Sequence, residues 1–473
     1  MLYICRIIKK MKKIFTTGIS CLLSVHFFAQ TLNYYFGNLH SHTAYSDGNK
    51  DATTTGCNNP SCSFSYAKAS QHFDFLGISE HNHSTAGLNI SNYHSGYTQA
   101  QSANQEGVFL CLWGMEWGVT TNPSDGHVIV YGFGNQLIGW ESGNYDIYVA
   151  KSDYDALFKK VKNNPNAFCY LAHPGYNDFG YLISNPYNAT YDSAIVGTVF
   201  RNGPAFSTNT FYSDYPNGDY FNYYRILLSK GYKIGIGYDQ DNHYTTFGRS
   251  NGGRLVILAP SLTTNNLFWA MKNMHFYGSD DWNAKIDFKI NSTEIMGNIV
   301  TASVNPTITV THNDDDGELA DSIKVWSGVS GSGSFPTVVK VVTSNNTLVY
   351  TDTTIPNNVQ RYYFIEIIQQ DGQRIITSPI WYTKDPLASV GVVNNHSSSV
   401  IVFPNPAKDI ITITSSEKNY TINIYDISSR KIFSTVNPNE STNIDISSFS
   451  EGIYYIELIK ENAILFHQKF IKN

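Results

Sequence analysis

The sequence predicts an α/β domain followed by two small all-β units, and three observations carry that reading. From Tyr34 to about Pro260, short apolar runs alternate with segments whose apolar residues recur at helical spacing. After about residue 285 the texture turns to Ile-, Val- and Thr-rich runs separated by polar turns. The chain of 473 residues is also too long for one ordinary core. With 15% charged and 14% aromatic residues, including 33 Tyr, it is neither disordered nor coiled coil.

In chain order, the predicted strands are YYFGNLHSHT, FDFLGISEH, VFLCLWGMEW, HVIVYGF, FCYLAHP, AIVGTVF, KIGIGYDQD and LVILAP. Between them FSYAKASQH, YDALFKKVKN and YFNYYRILLSKG read as helices, and NLFWAMKNMHFY (266–277) as a further one. Strand and helix alternating in this way imply mostly parallel strands with crossover helices, as a barrel or an open sheet. Residues 286–388 read as an antiparallel β module, in which the acidic run at 313–317 is a solvated turn. Residues 389–399 read as a linker and 400–473 as a separate small β unit.

The amino terminus reads as an address. Basic residues up to Lys13 precede an apolar run too short to span a bilayer comfortably, so residues 1–30 are a secretory signal, with a start at Met11 and cleavage near Ala29. In the oxidising compartment that follows, Cys57 and Cys62 flank a turn-rich loop and are expected to pair, while Cys111 and Cys169 sit in apolar strands as packing residues.

Charge limits the partners. The 32 basic and 38 acidic side chains give −6, and the first thirty residues hold five bases and no acid, so residues 31–473 carry −11. A body so negative lacks the footprint that attracts long polyanions, so stable nucleic-acid or anionic-membrane binding is not expected. Small phosphate esters remain open as substrates of a metal-centred hydrolase.

Nine of the 14 histidines fall between His40 and His243, and they gather at strand ends. His40 and His42 end the first strand, Glu80 and His81 the second, Glu116 the third; His173 ends CYLA, and Asp241 and His243 end KIGIGY. The carboxyl ends of parallel strands share one face, so these side chains converge there. Each histidine alone is more often a satisfied or exposed side chain than a ligand. Five histidines with two or three carboxylates at strand ends are hard to produce by packing alone. Imidazole nitrogens and carboxylate oxygens suit Zn, Mn or Fe, and so large a set exceeds the needs of one tetrahedral ion. Two or three closely spaced divalent ions would supply hydroxide near neutral pH, which makes hydrolysis the natural reaction.

These residues resemble the polymerase-and-histidinol-phosphatase (PHP) family of metal-dependent hydrolases. The resemblance rests on Asn38-Leu39-His40-Ser41-His42-Thr43 with Ser46-Asp47-Gly48, Ile78-Ser79-Glu80-His81-Asn82, Gly114-Met115-Glu116, Ala172-His173-Pro174 and Asp241-Asn242-His243, in order over residues 34–285. It implies a distorted (β/α)7 barrel over residues 31–285, with two or three metals at its carboxyl rim. Carried over by position, His40, His42, Glu116, His173, Asp241 and His243 look like ligands, with Glu116 bridging. His81, Asp47 and His127 match further ligand positions, His127 on the shortest motif and with a strand-edge histidine as its competitor. Glu80 stands where many relatives carry Asp, and Asp239 adds a second carboxylate beside Asp241. His72, His83, His94 and His275 match no motif.

The tail resembles the carboxyl-terminal sorting domain of Bacteroidetes type IX secretion through Pro404-Asn405-Pro406, Tyr425-Asp426 and Gly452-Ile453-Tyr454-Tyr455. An ordinary β-sandwich binding domain has the same composition. The resulting expectation is a secreted or cell-surface metal-dependent hydrolase acting on a small phosphate ester and handled by the type IX machinery. Asp47, His81 and His127 are the candidate proton donors, and sequence does not choose among them. The loops 51–63, 84–107 and 201–220 are expected to set specificity. The alternative is a non-catalytic surface binding or adhesion protein whose barrel keeps metal for stability.

Overall fold

The computed structural model describes residues 32–388, apart from 121–124 and 176–177, and residues 400–473, apart from 416–417, 427–429, 438, 440 and 461–462. The signal segment 1–30 and the linker 389–399 lie outside the described residues. Two compact units carry them, one within Leu32–Val392 and one within Val393–Asn473.

The larger unit is mixed α/β around one long sheet. Seven strands lie side by side in chain order: β1 (Asn33–Asn38), β2 (Phe75–His81), β3 (Leu110–Trp117), β4 (Val128–Tyr131), β5 (Phe168–Leu171), β6 (Ile195–Asn202) and β7 (Gly235–Asp239). β1, β2 and β3 are mutually parallel, and so are β5, β6 and β7, but β4 runs antiparallel to both of its neighbours. The link 118–127 explains this departure from the expected parallel order, because a parallel return needs a crossover of roughly a dozen residues or more. β8 (Arg254–Ala259) and β9 (Phe276–Ser279) continue the sheet antiparallel on the other side of β1.

Side chains alternate across the sheet as the pleat requires. On β3, Cys111, Trp113, Met115 and Trp117 face one apolar cluster, while Leu110 and Leu112 face another. The first is capped by helices α1 (Pro60–Ala67), α2 (Ile90–Ala103), α3 (Tyr154–Asn163) and α4 (Phe221–Lys230); the second packs on α5 (Thr264–Lys272). In α3 the buried residues Tyr154, Leu157, Phe158 and Val161 form one stripe, and Asp153 caps the helix by accepting from the amide of Ala156. Two predicted helices shift. α1 begins at Pro60 because Asn59 caps it, and α5 stops at Lys272 because Phe276 and Tyr277 pair with β8 instead of continuing the helix. α2 occupies a segment expected to be loop, since its buried residues are only Tyr93, Gly96 and Ala100, too few and small to mark a helical stripe in sequence.

The seven strands curl until the segments following β1 and β7 meet at one rim. There the amide of Asp241 donates to the carbonyl of His40 and that of His42 to the carbonyl of Asn242, both 2.9 Å, making a single parallel bridge between Ser41 and Asn242. Away from the rim, β7 lies against β9 so closely that a Cβ on Gly278 would sit 2.5 Å from the Gly237 carbonyl oxygen.

β9 also pairs with residues 374–377, so the sheet runs on into a β sandwich. Its second sheet comprises 285–290, 294–295, 307–313 and 347–351, and Ile286, Phe288, Ile308, Val310, Ile323, Tyr363, Ile365 and Ile367 fill the core between them. The carboxyl-terminal unit is all β. A three-stranded sheet (401–403, 410–414, 441–445) and a four-stranded sheet (420–426, 431–437, 452–460, 463–472) share a core that includes Ile411, Ile422, Ile424, Ile444, Ile456 and Phe470.

Replacing Gly278 with Ala would force β7 and β9 apart. The expected outcome is a loss of about 1–3 kcal/mol in urea denaturation of the full chain, and an unchanged midpoint would contradict the close approach.

Candidate metal centre

Nine side chains meet at the rim where the curl closes. His40 and His42 follow β1, His81 ends β2, Glu116 lies near the end of β3, His173 follows β5, and Asp241 and His243 follow β7. His127 immediately precedes β4. Because β4 is antiparallel, its amino end reaches the rim at which its neighbours finish. The reversed strand therefore supplies a histidine that a parallel one would have sent to the opposite end. Asp47 comes from the loop after His42, where a Cβ on Gly48 would stand 2.3 Å from the His42 carbonyl oxygen, so only glycine lets the chain fold back beneath it.

Glu116 is the hub. Its Oε1 lies 3.1 Å from His40 Nε2, 2.8 Å from His127 Nδ1 and 3.1 Å from His173 Nε2; its Oε2 lies 3.1 Å from both His42 Nε2 and His81 Nδ1. Asp241 Oδ1 is 3.2 Å from both His40 Nε2 and His42 Nε2. Asp47 Oδ2 is 3.3 Å from His243 Nε2, and Asp47 Oδ1 is 3.7 Å from His81 Nε2.

The distances are those of ion pairs, yet most of these atoms lack hydrogen-bond geometry. His40 Nε2, His42 Nε2, His81 Nδ1, His127 Nδ1, Glu116 Oε2, Asp241 Oδ1 and Asp47 Oδ1 are buried without a hydrogen-bond partner. Nitrogens and oxygens aimed at shared space, and not at each other, fit cation ligands. Three overlapping groups bring their donor atoms within 4.8 Å of one another: His40, His42, Glu116 and Asp241; His81, Glu116 and His127; His42, His81 and His243. Shared members make these adjacent positions in one cluster.

A further layer aims the ligands. Asp239 Oδ2 accepts from His40 Nδ1 at 2.9 Å, which turns Nε2 toward the centre, and the carbonyl of Asp241 accepts from His243 Nδ1 at 2.8 Å. The two carboxylates of the Asp-x-Asp-x-His run thus divide the work, Asp241 inside and Asp239 behind. Glu80 also stands behind the cluster. It accepts from the Thr43 amide and from the hydroxyls of Thr43 and Ser46, and its Oε2 lies 3.9 Å from His42 Nδ1. Asn38 binds the turn together, its Oδ1 accepting from the amides of His40 and Gln240. Sequence reasoning had no role for Asn38, and it weighed Asp239 against Asp241 as the metal-facing acid, the Asp-x-His spacing favouring Asp241; the structure sets Asp239 behind His40 instead. His173 and Asp241 have φ of 22° and 52°, strained for residues other than glycine, and each such residue costs about 1–3 kcal/mol that the surrounding packing must hold.

The open side is marked by Asp47, 32% exposed, where Lys50 Nζ lies 3.6 Å from its carboxylate and the exposed ring of Phe206 packs 4.5 Å from that of His243. His83 stacks between His81 and Trp140 beside the cluster. The other histidines that match no motif lie elsewhere: His94 pairs with Asp146, His275 with the Met296 carbonyl, and His72 packs on Trp282. The 51–63 segment contains the Cys57–Cys62 disulfide and braces the ligand loop through Asp51, which accepts from the amide and hydroxyl of Thr245. Cys111 and Cys169 are free and buried.

Electrostatics follow from burying carboxylates among imidazoles. Burial opposes charge on both partners, but His127, His40 and His81 hold Glu116 well below the usual carboxylate range, and His40 and His42 do the same for Asp241. Burial likewise disfavours the imidazolium of His42, yet Asp241 and Glu116 outweigh it and raise the group to about 10. Against the same burial, Glu116 and Asp241 raise His173 to about 9 and His40 well above its ordinary value. For His81, burial wins, aided by His42 and His127, and lowers it to about 3. The pocket demands positive charge, which protonated imidazoles or metal cations can supply.

A raised histidine stabilises the fold below its ordinary value of 6.5 and loses that contribution as pH climbs through its folded value. In chelator, the melting temperature is therefore expected to fall between pH 6.5 and about 10, and added Zn or Mn to flatten the fall. A flat profile in chelator would contradict this charge balance.

Comparison with known proteins adds the following. Residues 401–473 match the secretion system C-terminal sorting domain family. An endo-acting ulvan lyase of Formosa agariphila is 38% identical over 77 residues, which are 16% of this chain and only 15% of that protein's length. Among solved structures, a two-domain Bacteroides vulgatus ATCC 8482 protein containing a predicted PHP-like metal-dependent phosphoesterase is 12% identical, covers 75% of this chain and 93% of its own, and has a TM-score of 0.36. The CbhA fibronectin(III)-like modules of Clostridium thermocellum are 16% identical over 39% of this chain and 93% of theirs, with a TM-score of 0.16. Among the described residues no helix is long and apolar enough to cross a membrane. The chain ends in a sorting domain of the type IX secretion system, and the protein is secreted or displayed at the cell surface.

Proposed function

We propose that this secreted protein is a metal-dependent hydrolase of PHP type, acting as a phosphoesterase, with residues 31–285 as a distorted (β/α)7 barrel and 286–388 as an accessory β layer. The observation that carries the reading is the Glu116 carboxylate, buried within about 3 Å of five imidazoles from four different places in the chain. A purely structural cluster would satisfy its polar atoms internally, whereas here seven of them are buried and unpartnered.

In this reading His40, His42, His81, Glu116, His127, His173, Asp241 and His243 hold two or three divalent ions, with Asp47 a further ligand or an acid. Such ions, Zn, Mn or Fe, would supply hydroxide at neutral pH and neutralise charge gathering on a scissile phosphoryl group. The chain's own residues do the rest. Asp239 and the Asp241 carbonyl fix the ring orientations of His40 and His243. Asp47 lies at the open side, and although burial opposes its charge, His243, His42 and His81 hold its carboxyl below the usual carboxylate range, so it suits a further ligand better than a proton donor; His81 and His127 face Glu116 through a ring nitrogen. Lys50 and Phe206 border the entrance that an anionic ester would use. The type IX machinery is the partner in export.

The test is elemental analysis of protein purified without chelator, paired with a panel of phosphate monoesters, diesters and carboxylic esters. Two or three ions per chain and phosphoesterase activity that His40→Ala and Asp241→Ala abolish are expected. Metal-loaded protein inert across the panel would favour the surface-binding alternative. Asp239→Asn is expected to fold normally but to lose about 10–100-fold in metal affinity or turnover, and unaltered metal content and rate in that variant would remove its orienting role.

A further inference from the structure

The entrance to the metal centre is built onto one of its candidate ligands. The amide of Lys50 donates to the His243 carbonyl at 3.0 Å, and the amide of His243 donates to the Ala205 carbonyl at 2.9 Å. Lys50, and Phe206 next to Ala205, therefore hold fixed places beside the His243 ring. The loop that carries Phe206 is tied down along its length. The amides of Gly203, Tyr212 and Asp214 donate to the carbonyls of Asp239, Arg249 and Ser250 at 3.0, 2.8 and 3.0 Å, so the loop follows the segment that bears Asp241 and His243.

Phe206 is nevertheless 63% exposed. Its ring packs 4.5 Å from that of His243, and Lys50 Nζ stands 5.5 Å from its centroid, contacts that leave most of the ring to solvent. Single exposed rings are ordinary on protein surfaces. This one differs because an anchored loop holds it against a ring of the centre, where a flat apolar group of a bound molecule would remove it from water. The line of rings continues across the centre: His243 lies 6.4 Å from His81, His81 lies 5.6 Å from His83, and His83 stacks 5.7 Å from Trp140. His83 and Trp140 are half-buried. At the Phe206 end, Lys50 places a positive charge on a chain that is negative overall.

We propose that the substrate is an aromatic phosphate ester, with Phe206 the platform for its ring and Lys50 the partner of its phosphoryl oxygens. This rests on the hydrolase reading above and names the substrate class of that site. Because Phe206 touches the ring of a candidate ligand, the aromatic group has to begin at the ester oxygen or one carbon from it, as in aryl and benzyl esters. A ring at the end of a long chain would pass beyond the platform.

The test reads binding and not turnover. Metal-loaded full-length protein is titrated calorimetrically with phenylphosphonate and with methylphosphonate, which share a head group and differ in the ring. Phenylphosphonate should bind about 2–10-fold more tightly, the worth of one aromatic contact. Phe206→Ala should bring the two affinities together without lowering the melting temperature, since the ring it removes is exposed, and Phe206→Trp should keep them apart. Phe211→Ala, which removes an 84% exposed ring from the same loop, should leave the ratio as in wild type. Lys50→Gln should weaken both phosphonates by the same factor. Equal affinities in wild type, a ratio that survives Phe206→Ala or falls as far in Phe211→Ala, or Lys50→Gln protein that binds both as tightly as wild type would overturn the proposal and leave the hydrolase reading standing. Metal-loaded protein that binds neither phosphonate would overturn both.

Discussion

The Glu116 carboxylate is 1% exposed, and an ionised acid so far from water survives only with positive charge beside it. Five imidazoles reach it, following β1, ending β2, preceding β4 and following β5. No local segment could deliver them, so the sheet has to curl until distant strand ends share one rim. The antiparallel course of β4 belongs to the same requirement, because it brings His127 to that rim from its amino end.

What stands behind the cluster keeps it in register. The bridge between Ser41 and Asn242 joins the segments that bear His40, His42, Asp241 and His243, and Asn38 ties that junction to Gln240. Strain at Asp241 is held by the hydrogen bond from its own amide to His40. Asp239 and Glu80 serve orientation, Asp239 through its Oδ2 on His40 Nδ1 and Glu80 through the Thr43 amide and the hydroxyls of Thr43 and Ser46. A rigid cradle of this kind fixes where charge can be placed before any ligand arrives, and such preorganisation lets a site act without rearranging.

Much of this could be read from the chain because the informative residues sit where apolar runs end. His40-x-His42, Glu80-His81 and Asp241-x-His243 announce a rim as soon as the runs before them are taken as strands. The direction of β4 was hidden, since strand runs look alike either way and only the length of the 118–127 link distinguishes them. α2 was hidden by a buried face of Tyr93, Gly96 and Ala100, and the end of α5 by residues that suit a helix or a strand equally. Asp239 could be seen but not assigned, because two acids one alternation apart differ only in which side of the His40 ring they meet. The pairing of β9 with residues 374–377, and of Asp281 with the acidic turn, joins segments that no local pattern links.

The central claim is that Glu116 gathers cations. Anomalous diffraction from crystals of the purified protein, recorded at the Zn, Mn and Fe edges, tests it most directly. The account predicts two or three peaks around Glu116, neighbours separated by about 3.5–4 Å as in other multinuclear hydrolytic sites. The absence of any peak within bonding distance of Glu116, in protein never exposed to chelator, would contradict it.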